Sequence, residues 1–204
     1  MIRDDLSEQL IHLTRGKSDQ AAADTFVKIL RDGKLLGGTG DIRGNFRCVC
    51  FTEAPVAKLS QILAAPGVHG MRYKPFGIMV TKSWLFSRGG RPVIYRPDAE
   101  YDLLHELQKY RHVRYDGPNT ASDFTWEREW RIRTDELPLD LDKATAVVPT
   151  RAWEEWFQKR HMNMVSRRAR GTGGFTGPRS VTKQPWHFIV LEDLGVSIPS
   201  VDPP

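Results

Sequence analysis

Cysteine is nearly missing: the 204 residues hold only two, Cys48 and Cys50. That excludes a disulfide framework as the source of stability. With one residue between them in an extended run, the two side chains point the same way and are poorly placed to bridge. Both are expected as reduced, half-buried thiols. Two sulfurs alone do not make a zinc site, and the histidines and carboxylates show no ligand spacing, so no bound metal is expected. Long apolar runs are missing too. Nothing approaches the roughly 18 consecutive apolar residues of a membrane helix. The opening MIRDDLSEQL also lacks the apolar centre of a signal peptide. The expectation is a cytoplasmic protein with no membrane partner. Nor is there a P-loop, a GxGxxG between strand and helix, an HExxH pair or a GxSxG elbow. Those absences set aside P-loop nucleotide hydrolysis, Rossmann-type dinucleotide binding and zinc proteolysis.

What is present suits one domain. Hydrophobic residues make up 40% of the chain, enough for a single core over residues 1–204. The net charge of +5 favours anionic partners such as nucleic acid, nucleotides or phosphates. The densest basic stretch is MVSRRARGTGGFTGPRSVTK, residues 164–183, with Arg167, Arg168, Arg170, Arg179 and Lys183. Its Gly, Ser and Thr content reads as a flexible loop, either a solvated insertion or a phosphate-binding one. A Pro-rich tail covers 198–204.

Hydrophobic periodicity gives the layout. QLIHLTR (9–15) reads as a short buried strand, and Ser18 or Asp19 caps the helix that follows. That helix carries Ala22, Phe26, Ile29 and Leu30 at helical spacing, and Gly33 stops it. RCVCFTE (47–53) reads as a strand, with Pro55 opening a second helix through Val56, Leu59 and Leu63. FGIMVT and PVIY read as strands with a turn, WLFSRGG, between them. DAEYDLLHELQKYRHV reads as a third helix with Tyr101, Leu104, Leu107 and Leu103 inward. DFTWEREWRIR (123–133) reads as one strand, followed by a strand ATAVVP, a helix RAWEEWFQKRH capped by Thr150, and a strand WHFIVLE. Short strands interleaved with helices, mostly paired over long range, make the class α+β.

Three short constellations carry chemistry. In IHLTRG (11–16), His12 and Thr14 share a strand face and can both hydrogen-bond ribose hydroxyls, with Arg15 at the strand's end. The plainer alternative is a core histidine satisfied by backbone. In CFTEAP (50–55), Thr52 and Glu53 either cap the next helix or wall a cleft. In WEREWRI (126–132), alternation places Glu127, Glu129, Arg131 and Arg133 on one face, and Trp126 and Trp130 on the other, in the core. Two carboxylates there can stabilise an oxocarbenium ion and take a proton. A salt-bridged sheet surface is the plainer alternative.

Taken in order, IHLTRG, CFTEAP and WEREWRI resemble the three strand motifs of the ADP-ribosyltransferase superfamily. The opening IHLTR…ILRDGKL resembles that of DarT-type DNA ADP-ribosyltransferases. The run CFTEAP…YKPFGIMVTKSWLFSRGGRPVIY…WEREWRI is similar to AbiGi-type abortive-infection proteins. The likeness covers residues 10 to 150 or so. It implies a split β-sheet core flanked by helices, with NAD consumed in a cleft. His12 would bind the nicotinamide-side ribose, Thr14 would line the same wall, and Arg15 would bind NAD beside them. Thr52 would steady the catalytic carboxylate, Glu129 would be the catalytic glutamate, and Glu127 would open the Glu-x-Glu pair. The second motif departs from the usual Ser-Thr-Ser, and the first strand carries both a His and an Arg.

The expected function is therefore an NAD-dependent ADP-ribosyltransferase acting as a toxin or phage-defence effector. Nucleic acid is the expected acceptor, water the alternative, and a cognate antitoxin or sensor protein the expected partner. Two other classes fit the same residues. One is a metal-free ribonuclease with His12 as base. The other is a non-catalytic nucleic-acid- or toxin-binding (antitoxin) module.

Overall fold

Strands in the middle of this sheet are apolar on both sides, because both faces are covered. A computed structural model describes residues 7–40, 42–53, 55–59, 63, 73–117, 123–170, 186–196, 198 and 202–204. In chain order the elements are β1 (Gln9–Leu13), α1 (Asp19–Asp32), β2 (Lys34–Leu36), β3 (Cys48–Thr52), β4 (Gly77–Thr81), α2 (Lys82–Ser87), β5 (Arg91–Pro92) and β6 (Ile94–Arg96). They continue with β7 (His112–Arg114), β8 (Glu129–Arg133), β9 (Glu136–Pro138), β10 (Ala144–Val148), α3 (Arg151–Arg170) and β11 (Phe188–Val190). Seven strands form the main sheet in the order β11-β10-β4-β1-β3-β8-β5, antiparallel except for β10 with β11. β2 pairs with β9, and β6 with β7, as small separate sheets. The class is α+β.

One face of the sheet presents Leu10, Ile78, Val49, Phe51 and Ile132 to α1 and α3. The other presents Ile11, Leu13, Met79 and Val147 to Leu59, Leu63 and Leu191. That is why β1, β4 and β10 read as nearly unbroken apolar runs. Ser18 caps α1 by accepting from the Ala21 N–H at 3.1 Å, and Gly33, at φ 63° and ψ 33°, ends it in the left-handed region. Phe26 of α1 and Trp153 and Phe157 of α3 close around Phe76 with ring centroids 4.8 to 6.1 Å apart. Thr150 caps α3 through the Trp153 N–H at 3.4 Å.

β4 lies against β1 without room for a side chain at one point. A Cβ on Gly77 would stand 2.6 Å from the His12 carbonyl oxygen. Gly77→Ala is therefore expected to push the strands apart and to lower stability by about 1–3 kcal/mol. Urea unfolding measures this, and an unchanged midpoint would contradict the close approach.

Several expected elements differ. WLFSRGG is not a turn: Lys82–Ser87 is a short helix whose Trp84 N–H is capped by Thr81 Oγ1 at 3.2 Å. The segment 98–113 is not an α-helix but two 3₁₀ turns, Asp98–Leu103 and Lys109–Arg111, leading into β7. In the two turns the buried residues Tyr101, Leu104 and Tyr110 recur at multiples of three, the period of a 3₁₀ helix, and Leu103 and Leu107 are 75% and 71% exposed. The helix after Pro55 begins as a 3₁₀ turn, Val56–Lys58, with no side-chain cap. α3 runs on to Arg170, so the start of the 164–183 stretch is helical rather than loop. Residues 171–185 lie outside the described residues. Among the described residues, no helix is long and apolar enough to cross a membrane.

Candidate active site

A seam runs down the sheet between β1 and β3. β1 stays in register with β4 from Gln9 through Leu13, and β3 with β8 from Cys48 through Thr52. Between β1 and β3 only Ile11 and Thr52 are in register. Beyond that pair His12 Nδ1 spans the gap to the Cys50 carbonyl oxygen at 2.8 Å. A cavity of about 300 Å³ opens at this seam, within the size range of ligand sites. His12, Thr14, Arg15, Thr52, Glu127 and Glu129 all line it.

His12 faces a carbonyl through Nδ1, so Nδ1 must carry the hydrogen. Burial lowers its pKa, the Cys50 hydrogen bond works the other way, and the Arg15 charge adds to the lowering. The ring is thus neutral, and Nε2 holds a lone pair that can accept from a hydroxyl. The linkage has a definite sign. Below roughly pH 6.5 the unfolded chain protonates this imidazole, whereas the folded chain resists until lower pH. Stability is therefore expected to fall as pH drops through that window, by up to about 1.4 kcal/mol per unit from this group. Comparing urea unfolding of wild type and His12→Asn between about pH 5 and 7 should give a flatter profile for the variant. Superimposed profiles would contradict a neutral His12.

Thr14 continues the wall. Its N–H donates to the Phe76 carbonyl at 2.8 Å and its carbonyl accepts from Lys74 N–H at 2.9 Å. Among the described residues its buried Oγ1 has no hydrogen-bond partner, which costs free energy unless a ligand supplies one. Arg15 is exposed at the rim, with its guanidinium over the Tyr73 ring at 5.1 Å and donating to Tyr73 Oη at 3.3 Å. Tyr73 in turn donates to Glu127 Oε2 at 3.2 Å, and burial pushes its pKa up to about 12, which keeps it a donor.

The stretch 123–133 is not one strand. Thr125–Glu127 is a 3₁₀ turn, Arg128 is left-handed at φ 44° and ψ 52°, and β8 begins at Glu129. Glu127 and Glu129 reach the same cavity because this turn re-aims Glu127, not through simple alternation. A non-glycine residue in that region is uncommon and costs free energy, so the surroundings enforce the turn. Thr52 contributes directly, donating from Oγ1 to the Glu127 carbonyl at 2.6 Å. Its hydroxyl thus steadies the turn below Glu127, where the expectation had it supporting the Glu129 carboxylate.

The break also relocates Trp126. It is not core: it is 47% exposed and lines the cavity. Trp130, on β8, does pack against the core, and its Nε1–H donates to Glu53 Oε2 at 2.8 Å. Glu53 caps no helix. It is buried in an ion pair with Lys82 at 2.7 Å.

Alternation does hold within β8. Glu129 and Arg131 share a face and form a bidentate pair, Nε to Oε1 at 2.8 Å and Nη2 to Oε2 at 2.9 Å. Arg133, two residues on, instead lies over the Phe46 ring at 4.7 Å. The Glu129 N–H donates to Tyr95 Oη at 3.3 Å. Cys50 sits beside this pair as a free thiol, and burial followed by the Glu129 charge pushes its pKa well up. Neither Tyr73 nor Tyr95 stood out in the sequence, since nothing local links them to the carboxylates. Among the described residues, no group of three or more His, Cys, Asp or Glu could hold a metal ion.

No family model matches the chain, and no curated protein matches it. Among solved structures, one match is Thermus sp. 2.9 DarT in complex with NAD+. It is 11% identical with a TM-score of 0.43, and the alignment covers 94% of this chain and 98% of that one. A likeness at that level carries no functional argument.

Proposed function

We propose that the chain is an NAD-dependent ADP-ribosyltransferase that uses nucleic acid as acceptor and acts as a toxin or defence effector. One observation carries the reading: His12, near the start of the chain, and Glu129, from its middle, line a single cavity. The remaining residues suit the substrate. A neutral His12 Nε2 can accept from a ribose hydroxyl, and Thr14 Oγ1 awaits a partner in the same wall. In the reaction the bond between ribose C1′ and the nicotinamide nitrogen breaks, and its electron pair leaves with nicotinamide. Positive charge develops on C1′ and the ring oxygen, and the Glu129 carboxylate stabilises it. The acceptor attacks C1′ and gives up its proton, for which Glu127 is the nearby base. Trp126 offers a flat apolar face at the mouth, and the net charge of +5 draws a polyanion. A reaction that consumes NAD in its own cell calls for a cognate antitoxin or sensor.

The test is to incubate the protein with NAD, alone and with DNA or RNA, and to follow nicotinamide release and labelling of the nucleic acid. Release that depends on nucleic acid, with label transferred, is the expected result. Release with no transfer makes water the acceptor. RNA cleavage with NAD absent points to a ribonuclease. Salt-sensitive binding with no turnover points to a binding module.

A further inference from the structure

We propose that Arg131 is the positioning residue of the Glu129 carboxylate, holding its rotation and its place at the cavity wall. The inference rests on the transferase reading above. Arg131 is 4% exposed, yet every nitrogen of its guanidinium is used. Nε and Nη2 grip the two oxygens of Glu129, while Nη1 donates to the Tyr110 carbonyl at 3.0 Å and the His112 carbonyl at 2.9 Å. The fork is therefore fixed from behind by main chain and fixes the carboxylate in front. Burial alone would lower the pKa of Arg131, but the Glu129 hydrogen bonds and charge raise it overall, so the clamp is always cationic.

The geometry separates this pair from an ordinary buried ion pair. One member faces two backbone carbonyls and the other faces a cavity. A carboxylate offers about four lone-pair positions, and the fork takes one on each oxygen. The Cys50 thiol hydrogen-bonds Glu129 as well, which leaves one position for a ligand. Thr52, directly across the ladder from Glu129, does not take this role, because its hydroxyl goes to the Glu127 carbonyl. A lysine could match the charge but not the planar two-point grip.

The test uses Arg131→Lys, with kcat and KM for nicotinamide release measured separately. The expected result is a kcat about 100-fold lower, as for a misplaced reacting group, with the KM for NAD within roughly threefold. Because Arg131 acts through Glu129, adding Arg131→Lys to Glu129→Gln should lower the residual rate by less than about twofold. A second measurement does not depend on the lysine variant folding. In wild-type protein labelled with nitrogen-15, the Arg131 Nε–H should be protected from exchange, and its resonance should move in Glu129→Gln. An unchanged kcat, a loss confined to KM, or effects that multiply in the double variant would overturn the proposal. So would an Arg131 resonance indifferent to Glu129→Gln. A wild type that releases no nicotinamide sinks the transferase reading itself, and this role with it.

Discussion

Glu129→Gln is expected to leave nicotinamide release roughly 10³-fold below wild type. The substitution keeps the shape of the side chain and removes its charge. Under the proposed transferase reaction that charge offsets the cation at C1′, which a neutral amide does not do. The amide also fits its neighbour badly. Its NH₂ would face either Nε or Nη2 of Arg131, donor against donor, where both carboxylate oxygens now accept. Half of the fork is lost and Arg131 is left buried without its counter-charge, so stability is expected to fall by about 3 kcal/mol. Rates should therefore be compared well below the melting temperature of the variant. Single-turnover measurement with labelled NAD gives the range needed. A variant within tenfold of wild type would remove Glu129 from the chemistry.

Trp153→Ala is expected to cost about 3–5 kcal/mol, the range for deleting a large buried aromatic side chain. For a chain of this size that lowers the melting temperature by roughly 6–20 °C. Trp153 is 1% exposed, and its ring centroid lies 4.8 Å from that of Phe76, 5.3 Å from Trp156 and 5.6 Å from Phe157. Those rings carry α3 against Phe26 of α1 and the sheet, so their collapse into the space is limited by one another. Thermal melting followed by circular dichroism measures the loss. A shift under about 3 °C would mean that α3 is not anchored at this residue.

The parts of the fold legible in the sequence are those fixed by neighbours in the chain. α1 was legible from cap to stop, because Ser18, the spacing of Ala22, Phe26 and Leu30, and Gly33 are all local signals. The strands β1, β3, β4 and β10 were legible because each is a short apolar run bounded by polar residues. Alternation within β8 correctly put Glu129 beside Arg131. It failed at the residue before β8, where the left-handed Arg128 breaks the period, and that failure misplaced Trp126. The segment 98–113 misled for a related reason: apolar residues at spacings of three and four look alike until burial separates Leu104 from Leu103 and Leu107. β2 and β9 are three-residue strands that exist because distant chain segments meet, and no local pattern announces them. In the site, the residue types were legible, but their partners were not. Tyr73 with Glu127, Thr52 with the Glu127 carbonyl, and Arg131 with the carbonyls of Tyr110 and His112 are joined only by the folded backbone.

By its ladder pairing the main sheet divides into two leaves. β11, β10, β4 and β1 make one, β3, β8 and β5 the other, and they are stitched by the Ile11–Thr52 pair and by one imidazole reaching across. A molecule that touches His12 on the first leaf and Glu129 on the second acts as a splint. Its occupancy stiffens the joint between the leaves as well as filling a hole, so deuterium uptake along Ile11–Leu13 and Cys48–Cys50 slows together when the splint is in place.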